Sequence, residues 1–215
     1  LKEQGKDSQL QKIEEFKKAN VKPFFLWKLH FSDVFQKDGF DVVIANPPYI
    51  DGRGLTESEL KALKGIYFSA QGKVNLFNLF QEKAQHILRK SGISTFIIPT
   101  PFLRNDRYWA IRKFLLENTR LIEIVDFEEM QFESAVVESI LIFTQKCSVP
   151  QNLFDVFKSL NRNVSRNLSQ ESFNDNAECK ILTAGSEQDS GVISKVKMSS
   201  IPLGDVYDVR DGIST

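Results

Sequence analysis

Apolar positions along the chain change period several times, and each change marks an element. In residues 7–20, Leu10, Ile13 and Phe16 recur at helical spacing among Lys, Glu and Gln, which predicts an amphipathic helix that Pro23 ends. Phe25, Trp27, Leu29 and Phe31 then alternate with Leu26, Lys28 and His30, a strand pattern. After a turn at 37–39 the run FDVVIA (40–45) is short, β-branched and apolar throughout, as expected of a strand buried on both faces of a parallel sheet. Two prolines at 47 and 48 cannot continue a central ladder, so the chain turns out there.

Beyond that turn, Thr56 and Glu59 form a capping-box pair opening a helix to about Lys64. Residues 75–90 read as a helix with Gly92 as its C′ residue. Residues 93–99 read as a buried strand, 107–118 as a helix, and 121–127 and 138–145 as strands close enough in sequence to lie antiparallel. Strands alternating with helices predict an α/β layered sheet. After about Val149 the texture becomes Ser- and Asn-rich and weakly periodic, expected as a linker or the edge of a second domain over 150–200; a short strand-like piece follows in 201–215.

Composition narrows the function classes. The 28 Lys+Arg balance 28 Asp+Glu, so a nucleic-acid partner needs a local basic face rather than a basic chain. No apolar run approaches the roughly 18 residues of a membrane span, and the polar N-terminus has no signal-peptide core, so a cytoplasmic, non-membrane protein is expected. Cys147 and Cys179 lack metal-ligand spacing and His30 and His86 stand alone, so no metal site is expected. The chain opens on Leu1 rather than Met, which suggests a portion of something longer.

The chemistry is concentrated in FDVVIANPPYI (40–50). Asn46 brings a side-chain carbonyl and an amide, Pro47 a carbonyl but no N–H, Pro48 stiffness, and Tyr49 an aromatic plate. They stand after a strand, at the sheet edge where open α/β proteins bind ligands. Two acceptors beside a plate suit a planar ring with an exocyclic amino group: they take its N–H bonds and stabilise positive charge growing on nitrogen. The plain alternative is a rigid turn that ends the strand.

This segment resembles motif IV of S-adenosylmethionine-dependent amino-methyltransferases, and more widely the methylase part of Eco57I-like restriction–modification enzymes. Other stretches resemble that family in the expected order. They are WKLHFSDVF (27–35), VNLFNLFQEKAQHIL (74–88), FESAVVESILIF (132–143) and the tail 201–215, which is similar to the opening of a target-recognition domain. Asn75 stands where the family usually has Asp.

The resemblance implies part of a Rossmann-like class I methyltransferase sheet with helices on both faces. Residues 1–149 would be the later portion of the catalytic domain and 201–215 the start of a recognition domain. It implies that Asn46 and the Pro47 carbonyl accept from the 6-amino group of adenine, that Pro48 shapes the loop, and that Tyr49 and Phe132 sandwich the base. Phe80 would form a wall at the S-adenosylmethionine adenine. The partner would be double-stranded DNA with a flipped adenine. Arg104 and Arg107 are candidates for phosphate contact or, equally, a solvated helix start; Phe80 and Phe132 could simply pack in the core.

The family's glycine-rich cofactor loop has no counterpart, since the only glycine before Gly39 is Gly5. An upstream cofactor-binding segment and a downstream recognition domain are therefore expected partners, and the chain by itself is expected to be inactive and not to bind the cofactor. No Pro-Asp dipeptide occurs, so no metal-dependent cleavage is expected of these residues. A protein-glutamine or RNA amino-methyltransferase, and a non-catalytic DNA-binding module, remain alternatives.

Overall fold

The computed structural model describes residues 25–71, 74–127, 138–147, 152–158, 165–174, 178–183 and short pieces between 195 and 207. The helix expected over 7–20, Phe132 and most of the 201–215 tail lie outside these residues.

One mixed sheet carries six strands: β1 (Phe40–Ala45), β2 (Leu88–Pro99), β3 (Thr119–Asp126), β4 (Ser139–Lys146), β5 (Leu153–Phe157) and β6 (Ser165–Ser169). Their order is β1-β2-β4-β3-β5-β6. β1 and β2 are parallel, β4 inserts antiparallel between β2 and β3, and β5 returns parallel to β3. The helices of more than one turn among the described residues are α1 (Glu57–Ile66), α2 (Leu76–Ile87) and α3 (Trp109–Asn118), and Leu203–Val206 is a single helical turn rather than the strand-like piece expected in the tail. The core lies between the sheet and α2 and α3. Phe77 and Ala84 of α2 and Ile111, Leu115 and Leu116 of α3 pack there on Phe96, Ile98, Ile124, Ile140 and Ile142. The α/β architecture expected from the sequence is the one observed.

Where residues and expectation agree, local chemistry explains it. Thr56 caps α1: the Glu59 N–H donates to Thr56 Oγ1 (3.3 Å) and the Thr56 N–H to the Glu59 carboxylate (2.8 Å). Thr56→Ala should lower the unfolding free energy by about 1 kcal/mol in urea denaturation, with Thr56→Ser nearly neutral. At the turn before β1, Gly39 adopts φ +125°, and a Cβ there would sit 2.3 Å from the Ile87 carbonyl oxygen.

Four more expectations are corrected. Residues 25–31 are not a strand; Trp27–His30 and Ser32–Phe35 form single helical turns. The aromatics that alternate also fall four apart, and Trp27, Phe31 and Phe35 converge on Phe40 with ring centroids 6.0, 5.2 and 5.8 Å away. That i, i+4 clustering wins over the period of two.

Gly92 is no helix C′ residue. α2 stops at Ile87 with Leu88 already extended, and Gly92 lies inside β2, close against the Phe40 backbone. β1 is not buried on both faces: it is the outer strand among the described residues, with Val42 52% and Ile44 76% exposed, while Val43 and Ala45 face the core.

Within 150–200, β5 and β6 extend the same sheet, and Phe173, Cys179 and Ile181 are buried in its core. Gln170 fixes this extension. Its amide donates to the Leu116 (2.9 Å) and Thr119 (2.7 Å) carbonyls and accepts from the Leu121 N–H (2.8 Å). Among the described residues no helix is long and apolar enough to cross a membrane, and no group of three or more His, Cys, Asp or Glu could hold a metal.

Candidate active site

The parallel strands β1, β2 and β3 point their carboxyl ends to one edge of the sheet. Asn46–Tyr49 leaves β1 there, the loop 100–108 leaves β2 there, and β3 ends and β4 begins at the same edge. A ligand at this edge meets both of these loops.

The NPPY loop is fastened from behind. The Leu76 N–H donates to the Ile50 carbonyl (2.9 Å) and the Gly52 N–H to the Val74 carbonyl (2.8 Å). Asn75 begins α2, its side-chain oxygen accepting from the Phe77 N–H (3.2 Å). Asn caps a helix about as well as Asp, so this role accounts for the residue that departs from the family's usual Asp.

Within the loop Pro47 is buried, whereas Asn46 and Pro48 are exposed. Among the described residues no group bonds the Asn46 side chain or the Pro47 carbonyl, so neither acceptor is engaged, and the exposed Asn46 side chain is open to a ligand. The Tyr49 hydroxyl donates to the Ile97 carbonyl (3.1 Å), and its ring, 39% exposed, stands edge-on to Phe77 at 6.2 Å. Burial pushes the Tyr49 phenol above its ordinary value, so at neutral pH the hydroxyl remains a donor and the ring stays anchored.

The other candidates part company. Phe80 is 47% exposed on α2 and so is not taken up by helix–sheet packing. Arg104 and Arg107 are both exposed in the loop after β2 but face different ways. Arg104 acts on Asp126 at the end of β3, whose carboxyl is raised by burial while the Arg104 charge opposes the rise. Arg107 instead lines a cleft of about 420 Å³ beside the NPPY loop, together with Asp51, Arg53, Lys64, Asn75 and Tyr108.

Sequence reading missed Asp51, Arg53 and Lys64. The available signal was helical spacing, since Leu60 and Lys64 are one turn apart and Leu60 also lines the cleft.

A sequence signature described as Eco57I restriction-modification methylase matches residues 1–132. The chain belongs to this family. It is 34% identical over 111 residues to the type II restriction enzyme and methyltransferase RM.Eco57I of Escherichia coli, an overlap of 50% of this chain and 11% of that protein. It is 29% identical over 133 residues to the type II methyltransferase M.BanIII of Aneurinibacillus aneurinilyticus, covering 59% of this chain and 23% of that one. The chain thus spans 11–23% of the length of these relatives.

Among solved structures, a nuclease-deletion mutant of the Type ISP restriction-modification enzyme LlaGI, in complex with a DNA substrate mimic, is similar in fold. The TM-score is 0.51 at 11% identity, over 75% of this chain and 19% of that chain.

Proposed function

We propose that the polypeptide carrying this chain transfers a methyl group from S-adenosylmethionine to the 6-amino group of an adenine extruded from double-stranded DNA, as the modification activity of a restriction–modification system. The observation that carries the reading is the pair of unengaged acceptors, the Asn46 side chain and the Pro47 carbonyl, beside the exposed and anchored plate of Tyr49. Family membership supports it.

In this reading Asn46 and the Pro47 carbonyl each accept one N–H of the adenine amino group. They hold the nitrogen pyramidal and stabilise the positive charge that grows as its lone pair forms the new N–C bond. Asn46 is neutral, so the surplus proton leaves to solvent after transfer rather than to a strong base. Tyr49 stacks on the extruded base, which recovers part of the unstacking cost. Phe132, outside the described residues, is assigned to the other side of the base on the family resemblance alone.

Bound S-adenosylmethionine supplies an electrophilic methyl on a sulfonium. Of the described residues Phe80 is suited to wall its adenine, being an exposed ring on α2. The glycine turn that would admit the rest of the cofactor is not among these residues. We read the edge and outward face of β1, unpaired among the described residues and with Val42 and Ile44 exposed, as the surface on which the cofactor-binding part of the sheet packs. Residues 201–215 begin the recognition domain in this reading.

The test is direct. The complete polypeptide is expressed in a methylation-deficient host, the host DNA is digested to nucleosides, and N6-methyladenine is quantified by mass spectrometry. Methyladenine above the empty-vector level is expected. Its absence alongside soluble, folded protein would overturn the reading in favour of a glutamine or RNA acceptor.

A further inference from the structure

The cleft beside the NPPY loop differs in character from the base site, and its free polar groups share one property. Lys64 comes from α1 and Arg107 from the turn before α3, so two separate elements aim cations into the same space. Neither side chain makes a hydrogen bond or a salt bridge among the described residues, and the Arg107 charge reaches only as far as stabilising the Asp51 carboxylate across the cleft. Asn75 spends its side-chain oxygen on capping α2, which leaves its amide N–H groups as its remaining capacity.

The single carboxylate present, Asp51, is already engaged by Arg53, through the backbone N–H (3.2 Å) and Nε (2.7 Å). The cleft therefore offers donors and positive charge and lacks a free acceptor of comparable strength. It fits an anion with several acceptor oxygens. Leu60 and Val74 add apolar lining that an anion alone does not need but a sugar ring can cover.

Position decides which anion. Asp51 is two residues beyond Tyr49, and the opposite wall, Tyr108, packs on Phe77 at 5.1 Å, which in turn packs on Tyr49 at 6.2 Å. The buried Phe77 ring thus joins the base plate to Tyr108 in the cleft wall. A ligand that lays its base on Tyr49 brings its own backbone to this cleft.

We infer that the cleft is the seat of a DNA phosphodiester flanking the extruded adenine, held by Lys64 and Arg107 with Arg53 and the Asn75 amide in support. The inference rests on the methyltransferase reading of the same site. It adds a phosphate-positioning role, independent of base sequence, for residues outside the NPPY loop.

The experiment uses the complete polypeptide and a fluorescein-labelled DNA duplex containing adenine, with binding followed by anisotropy across a salt series. Lys64→Gln and Arg107→Gln should each weaken binding similarly on every duplex sequence. Each should also flatten the slope of log Kobs against log[salt] by about one. Lys64→Arg should restore the slope. Lys90→Gln, at the opposite end of β2, should leave it unchanged. At saturating DNA the cleft variants should retain turnover, with the loss appearing in KM.

Wild-type affinity and slope in the double variant, with circular dichroism showing a folded protein, would overturn the assignment. So would a slope change seen on duplex RNA and not on DNA. A wild-type protein that methylates DNA while its cleft variants keep the full slope sinks this inference alone. One that neither methylates nor binds DNA sinks the functional reading beneath it.

Discussion

In the complete polypeptide, and on the proposed function, Asn46→Ala should reduce methyl transfer by about 10²- to 10³-fold in kcat, with affinity for duplex DNA unchanged within about twofold. The size follows from what one preorganised group contributes when it faces charge that develops only in the transition state, about 3–4 kcal/mol. The partition follows from geometry. The Asn46 side chain is exposed and makes no described bond within the protein, so its removal orphans no buried partner and should leave stability within about 0.5 kcal/mol.

Because phosphate contacts dominate DNA affinity, loss of one neutral acceptor should not register in a binding assay. Asn46→Asp keeps an acceptor oxygen and should retain more activity than alanine. Single-turnover kinetics with excess enzyme isolate the chemical step, and an alanine variant with wild-type rate there would eliminate the acceptor role. A Pro47→Ala variant keeps the backbone carbonyl and should lose less than Asn46→Ala. Its remaining loss would report the stiffness of the loop rather than the acceptor itself.

The candidate site was legible in the sequence to the extent that its chemistry is local. NPPY is contiguous, and a strand that stops at two prolines already sends the loop to the carboxyl edge of the sheet. The capping box of α1 and the antiparallel return from β3 to β4 were equally readable, because each depends on neighbours in sequence.

What escaped reading depends on distance. β5 and β6 are short and Ser- and Asn-rich, and they become strands by pairing with β3 and with each other. Residues 25–31 satisfied two periods at once, and only contact with Phe40 decides between them. The cleft is assembled from three segments, around Arg53, Lys64 and Arg107, none of which carries a signature alone. The separation of Arg107 from Arg104 could not be read either, since three residues in an irregular loop have no fixed angular relation.

Arg112→Met should lower the unfolding free energy by about 3–5 kcal/mol, equivalent to a fall in Tm of roughly 10 °C for a domain of this size. Arg112 lies on α3 with no solvent exposure, and its guanidinium bonds backbone carbonyls only. Nη1 donates to Phe102 (2.6 Å) and Asn105 (2.8 Å), Nη2 to Glu178 (2.8 Å), and Nε to Cys179 (3.0 Å) and Glu178 (3.2 Å). Burial pulls its pKa down to about 10, still well above neutrality, so it remains charged and four carbonyl dipoles compensate it.

A methionine fills similar volume but orphans all four oxygens, and each buried carbonyl without a partner costs about 1–3 kcal/mol before relaxation and water entry. Lysine should not rescue: its donors radiate from one point and cannot span carbonyls on two segments. The exposed bridge of Lys180 to Asp106 (2.7 Å) joins the same two segments from outside, while its contact with Glu178 (3.2 Å) stays within one of them. Lys180→Ala should therefore cost below about 1 kcal/mol, and the contrast separates a buried clamp from a surface tie.

Because the clamp holds the loop that carries Arg107 and Tyr108, an Arg112 variant should also lose DNA affinity at temperatures where it is still folded. Lys180→Ala should not. Urea denaturation and anisotropy on the same samples measure both. An Arg112→Met protein within 1 kcal/mol of wild type would mean that the 102–105 and 178–179 carbonyls find other donors, and that the loop beside the active site is held by packing alone.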